Sequence, residues 1–403
     1  MEKHNQTSFA LKHFHLSRFL HNKYNVLVIA DTFRQVALSM IVLFVPIFLY
    51  KIGFSVLAIA YYLFFIFMGS IISHFIIFKY LIKLGVKKIL IASYVINIFF
   101  YLLLFSSEII INLLGSSVFI ALTAFLYILS TTLYWSAHHV YFVNTTAIKK
   151  SGIKLGIILA VPIIFAIIGP FLGGLLITSF SFKIAFLTSA LLMIIASLLL
   201  LFSEKIKTNK PKLKFKKILD VKRMRKNIIY FSQGVIFAVT GFIWPFYLFI
   251  ASIKLISIGA IYLLSNFVCS ASSYLTGKET DKKGNKLLSI IGIMGHSLTL
   301  IFRALTKSIG GITIIQSIGG LFGGIFVTSL EVGFLRHAHK DVYNSTMNRE
   351  FYMHLGRAFL VLVFIVLLYF ITIIKAFVAV IIFAGISEFL TSFIIKKDKA
   401  LIN

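Results

Sequence analysis

The chain has 403 residues, of which 59% are hydrophobic and 13% charged, with 43 Phe and a mean hydropathy of +0.99. So few polar side chains cannot cover water-soluble domains of this length, so lipid must be the solvent for most of the surface. The formal net charge of +28 sits in short clusters between apolar runs, which argues against a nucleic-acid partner and makes the charge a topology signal.

Residues 1–23 are polar, basic and His-bearing and read as a cytoplasmic N-terminal segment. The apolar run that follows is too long for a cleavable signal. Within the segment, residues 8–22 interleave Phe and Leu with Lys, Arg and His, which suits a surface helix or a disordered basic arm equally well. The single cysteine, Cys269, excludes an internal disulfide.

Apolar stretches of the length a bilayer crossing needs are predicted at 24–50, 55–78, 89–107, 113–142, 155–180 and 182–203. They recur at 227–250, 255–276, 287–306, 308–335, 351–374 and 375–395. Unbroken runs of this kind are helical, because backbone groups in hydrocarbon must bond within their own segment. Twelve spans are therefore expected, six in residues 24–203 and six in 227–395. They are joined by a linker, 204–226, that carries eleven Lys or Arg, and a tail at 396–403 follows.

The halves look related. Shifting the sequence by 199 positions places Pro46 on Pro245, Ile59 on Ile258 and Gly85 on Gly284, and one more residue of slip places Leu155 and Gly156 on Leu355 and Gly356. The cations alternate. The N-terminal segment, the connections after spans 2, 4, 6, 8 and 10, and the tail each hold three or more, whereas the odd connections hold one each: Lys51, Lys183, Lys254, Lys307 and Lys375. This bias puts both termini and the linker in the cytoplasm of a cell bounded by a plasma (inner) membrane.

The connection after span 8 reads Gly277, Asp281, Lys282, Gly284 and Lys286 in ten residues, the composition of a tight basic turn. This pattern resembles the signature loop of the major facilitator superfamily. Its counterpart after span 2 keeps Gly85, Lys87 and Lys88 but has Ile82 where the aspartate would stand. Span 5 carries Gly169, Pro170, Gly173 and Gly174, small residues that permit close helix contact beside a proline that removes one backbone bond. That run is similar to the G-P-x-x-G-G motif of the family's drug/proton antiporters, and the matching part of span 11 lacks it.

The resemblance implies an all-α membrane protein of two pseudo-symmetric six-helix bundles around a central cavity lined by spans 1, 4, 7 and 10. It implies alternating access to a small-molecule substrate, with the loop and span 5 motifs acting on conformation. Ionisable residues inside spans are costly and mark function. Asp31 and Arg34 lie one turn apart in span 1 and are candidates for substrate binding or proton coupling, the alternative being that Arg34 snorkels and Asp31 neutralises it.

In span 4, Trp135, His138 and His139 approach one end, as belt aromatics or as a titrating gate. In span 10, Glu331 stands near the same end and is expected to meet His138 or His139 across the bundles. Glu350, His354 and Arg357 share one face of span 11, as a self-satisfied helix start or a conformational element. Gln35, Gln233, Gln316 and Trp244 complete the expected cavity wall or bond across helices.

No metal site is expected of adjacent histidines, which lack the i, i+4 spacing, and no phosphate-cradling loop or hydrolytic triad is present in the sequence, so no cofactor and no enzyme activity is expected. Protons are the expected coupling ion, lipids the surroundings, and a monomer the expected state. Two functional readings remain beside proton-coupled export of an amphipathic compound: proton-coupled uptake of a sugar or nucleoside, and a non-transporting sensor that keeps the fold.

Overall fold

The structure, a computed structural model, describes residues 23–146, 161–162, 164–202, 224–283, 286–338 and 341–397. The basic arm, most of the linker, Gly156 and Gly284 lie outside them. Every regular element among the described residues is helical. Eleven helices are long and apolar enough to cross a membrane, and a shorter apolar helix, Ile164–Ser179, stands where the fifth of twelve spans is predicted.

Span 1 runs over Lys23–Ile41, tightens through Val42–Phe44 and continues as Val45–Lys51. Span 7 repeats the design as Met224–Ala238, a wide turn over Val239–Ile243, and Trp244–Ile250. In both, the distortion stands just before a proline, Pro46 or Pro245, which brings no N–H to the helical ladder.

The remaining spans are Val56–Leu84 (span 2), Val86–Phe105 (3), Ser116–Thr146 (4), Phe182–Leu201 (6), Leu255–Lys283 (8), Lys286–Leu305 (9), Ile309–Ala338 (10), Val342–Phe370 (11) and Ile373–Lys397 (12). Gly85 joins spans 2 and 3 at φ 84°, a conformation that side chains with a Cβ resist. Beside that turn, the Lys87 ammonium donates to the Leu201 carbonyl at 2.8 Å and so satisfies an orphan group at the end of span 6, while Lys88 is exposed.

The two boundaries that differ most from the sequence reading do so for one reason. Span 8 extends to Lys283, so Gly277, Asp281 and Lys282 stand on helix rather than in a turn, and only residues 284–285 separate them from Lys286. Span 11 begins at Val342, nine residues early, and the polar run there is buried: Asn344, Thr346, Asn348, Arg349 and Glu350. Hydropathy falls at both places, but Lys, Glu and Arg are good helix formers and the backbone continues.

Packing follows the repeat. Span 1 contacts spans 5 and 6 as span 7 contacts 11 and 12, span 4 lies against 2 and 3 as span 10 lies against 8 and 9, and spans 3 and 6 pair as 9 and 12 do. Between the bundles, span 2 lies along span 11 and span 5 along span 8. At the end of the molecule remote from the termini and linker, Tyr50 of span 1 sits edge-on against Phe246 and Phe249 of span 7.

Small residues set the closest seams. A Cβ on Gly169 or Gly173 would overlap Ser39 or the Met40 carbonyl of span 1, and one on Gly174 would meet the Leu255 carbonyl of span 8 at 2.7 Å. In the second half the same service falls to Gly234 and Gly356, which would overlap the carbonyls of Met353 and Phe231. Span 11 thus lacks the motif of span 5 but keeps its function at a single residue. Gly173→Ala or Gly356→Ala should lower stability by about 1–3 kcal/mol through overpacking against backbone. Gly241→Ala, with nothing within 4 Å of the new carbon, should be close to neutral, as thermal unfolding in detergent followed by tryptophan fluorescence will show.

Candidate functional site

A layer of buried charge crosses the molecule at the end nearer the termini and linker, and span 4 is its centre. Successive residues of a helix point about 100° apart. His138 and His139 therefore address different neighbours.

His138 turns toward span 1, where its Nε2 lies 3.7 Å from Asp31 Oδ2. The Tyr134 hydroxyl, one turn earlier on span 4, donates to Asp31 Oδ1 at 2.5 Å, and the Tyr134 ring stacks on His138 with centroids 4.8 Å apart. Arg34 is only 2% exposed; its Nη1 stands 4.0 Å from Asp31 Oδ1, while its guanidinium carbon lies 3.0 Å from the centre of the Tyr134 ring. Arg34 does not snorkel. Its charge is balanced inside the first bundle by a carboxylate and an aromatic face.

His139 turns toward the second bundle, its Nε2 3.4 Å from Glu350 Oε1 of span 11, with Trp135 stacked on its ring. Glu350 is 3% exposed and its other oxygen faces two more histidines, His74 of span 2 at 3.8 Å and His354 of its own helix at 3.7 Å. One carboxylate is thus approached by three imidazoles from three spans. Arg357 completes the group, its Nη1 3.5 Å from His354 Nδ1 and its guanidinium between Phe67 and Phe237, 5.9 and 5.8 Å from their centres. The Glu350, His354 and Arg357 face is therefore an inter-bundle contact, not a self-contained helix start.

Glu331 does not meet a histidine of span 4. Both its oxygens are held by Arg349 of span 11, through Nη1 at 2.9 Å and through Nη2, and the Arg349 guanidinium lies over Phe334. The expectation erred on Arg349 itself, counted with the basic connection after span 10 although it is 4% exposed and on a helix. A guanidinium offers a fork that fits a carboxylate, so it takes Glu331 ahead of an imidazole.

The other expected wall residues are uncharged. Gln35 is half-buried beside Arg34; Gln233, Gln316 and Trp244 are buried, and both polar atoms of the Gln233 side chain, Gln316 Oε1 and the Trp244 indole nitrogen lack hydrogen-bond partners. A small cavity lies between spans 1, 2, 4 and 7, with apolar and aromatic walls that include Pro46, Tyr62, Ile66, Tyr127 and Phe242.

Sequence reading passed over His74, Tyr134 and Arg349, and a third buried cluster inside the second bundle. There His296 Nδ1 of span 9 lies 2.9 Å from both oxygens of Glu388 of span 12, which is 0% exposed, and Arg303 is buried nearby. The rule that flagged Asp31, an ionisable group inside an apolar run, applies equally to His74, His296 and Glu388.

Two related bundles of membrane-crossing helices that meet around buried ion pairs are the architecture of a secondary transporter. Residues 27–348 match the Major Facilitator Superfamily, and the chain belongs to that superfamily, a multi-pass membrane protein with the fold of a secondary transporter. Among solved structures it is similar to the crystal structure of the human organic anion transporter MFSD10 (TETRAN), with a TM-score of 0.67 and 12% identity over 92% of this chain and 98% of that one. No curated protein matches the chain.

The Glu331 and Arg349 pair gives a test of how charge is held here. Arg349→Gln strips a carboxylate of its partner, and since the Glu331 side chain keeps 28% of its surface exposed, the loss is expected to be about 2 kcal/mol rather than the 3–5 of a sealed pair. Adding Glu331→Gln should recover most of the lost thermal stability, because two amides leave no unpaired charge.

Proposed function

We propose that the chain is a proton-coupled exporter of small amphipathic compounds, with Asp31 as the carboxylate that takes up and releases the coupling proton. The observation that supports this is the setting of Asp31: 6% exposed, in a broken helix, and held by Tyr134, His138 and Arg34 at distances a proton would change. Charged, the carboxylate draws the Tyr134 hydroxyl, the Arg34 guanidinium and the His138 ring inward. Protonated, it loses the attraction of Arg34 and can no longer accept from the Tyr134 hydroxyl as strongly, and span 4 is less firmly tied to span 1.

Because His139 is the next residue to His138, a shift of span 4 is felt at Glu350 in the other bundle. That is the two-state linkage coupling requires: one group whose protonation biases one inter-bundle contact. The close seam of span 5 against spans 1 and 8 is where the antiporter-like motif lies.

A second reading rests on Arg357, half-buried between two phenylalanine rings with His354 as its hydrogen-bonding neighbour. This cation favours solutes with an anionic end, in keeping with the organic anion transported by the similar human protein.

Proteoliposomes carrying a pH gradient decide between coupling and its absence. With Asp31→Asn, proton-driven accumulation of a fluorescent amphipathic substrate should fall at least about tenfold while the solute still equilibrates down its own gradient. A tenfold change corresponds to about 1.4 kcal/mol of lost bias between the two states. An Asn variant that concentrates substrate as the parent does, with the same acidification, removes Asp31 from the coupling role. No flux of any solute or proton by the parent would favour a sensor with a transporter fold.

A further inference from the structure

We infer that His74, Glu350 and His354 form a binding site for a divalent transition-metal ion of the zinc class, clamping the two bundles together at the end nearer the termini. Their donor atoms all lie within 4.8 Å of one another, and all three residues are buried. Zinc bonds imidazole nitrogen and carboxylate oxygen at about 2.0–2.2 Å, so donors in a tetrahedral shell stand about 3.3–3.6 Å apart. Glu350 Oε2 is 3.8 Å from His74 Nε2 and 3.7 Å from His354 Nε2, a contraction of a few tenths of an ångström away. Two imidazoles and one carboxylate are a borderline donor set that suits zinc and its neighbours rather than magnesium or calcium.

The independent observation is the orientation of His74. Its Nδ1 lies 2.7 Å from the Ser70 carbonyl oxygen, which accepts only, so Nδ1 must carry the proton and donate it. In the neutral ring Nε2 is then a bare lone pair, 1% exposed with its residue, without a hydrogen-bond partner, and aimed at a carboxylate oxygen. Two electron-rich atoms facing each other out of water need a positive charge between them. The Nδ1–H to carbonyl bond is the arrangement that fixes a metal-ligating histidine in its tautomer. The other carboxylate oxygen, Oε1, is occupied by His139 at 3.4 Å, which leaves Oε2 as the one turned to His74 and His354.

Arg357 opposes the ion twice. It adds a positive charge, and by approaching His354 Nδ1 at 3.5 Å it favours the tautomer with the proton on Nε2, the atom a metal would need. Removing this side chain should therefore strengthen binding, which no purely structural role of the cluster predicts. Span 2 belongs to one bundle and span 11 to the other, so a filled site resists their separation; this does not depend on Asp31 or on which solute is carried.

The test uses the full chain, purified in detergent and stripped with chelator, titrated with Co(II) and then with Zn(II) as competitor. The parent should develop the visible absorption of Co(II) in a low-coordinate N/O site at one equivalent, lose it to Zn(II), and gain thermal stability with the metal. Glu350→Gln and His74→Gln should each weaken binding at least about tenfold, and Arg357→Gln should tighten it several-fold. The histidines of the N-terminal segment stay intact in all variants, so metal held there remains in each. Equal Co(II) affinity in parent and Glu350→Gln, or a weaker Arg357→Gln, overturns the site. Should the variants not fold, a parent chain with no Co(II) absorption and no stabilisation by Zn(II) overturns it alone.

Discussion

A carboxylate sealed from water must be met by positive or hydrogen-donating groups, and the cost of leaving it unmet exceeds the stability of most contacts around it. Glu350 is in that position, and the histidines that approach it come from spans 2, 4 and 11. The two bundles therefore share one electrostatic object. Any state in which they part at this end must supply Glu350 with water or with another partner.

Span 4 carries the consequence through the molecule. With His138 on Asp31 and His139 on Glu350, one turn of helix touches a carboxylate in its own bundle and another in the partner bundle. Helices are stiff and the seams beside them are set by backbone contact at Gly169, Gly173, Gly234 and Gly356. Around Asp31 the space within the first bundle is already filled by Tyr134 and Arg34, and span 4 is the element that touches both Asp31 and Glu350.

How much of this could be read from the sequence depended on whether the signal was local. Apolar length and the alternation of Lys and Arg located the spans, since lipid acts on each helix separately. Pro46 and Pro245 entered the sequence reading only as landmarks of the repeat, and the breaks they cause in spans 1 and 7 emerge from the structure. Pair identities were not local. Choosing His139 or Arg349 for Glu331 required knowing that span 11 begins at Val342 and brings Arg349 alongside, and hydropathy had assigned that polar run to a loop. His74, single in a long apolar run, shows its role only when spans 2 and 11 lie together.

The repeat makes the chemistry unequal where the packing is equal. The 199-residue shift puts Asp31 and Arg34 on Tyr230 and Gln233, so the ion pair of span 1 becomes two buried neutral residues in span 7. It puts Asn97 and Ser189, buried at the seam of spans 3 and 6, on His296 and Glu388 at the seam of spans 9 and 12. Each half thus keeps polar groups at corresponding seams, but the charges at its cavity helix belong to the first half and those at its outer seam to the second. The unequal assignment leaves span 1 charged and span 7 neutral at corresponding positions.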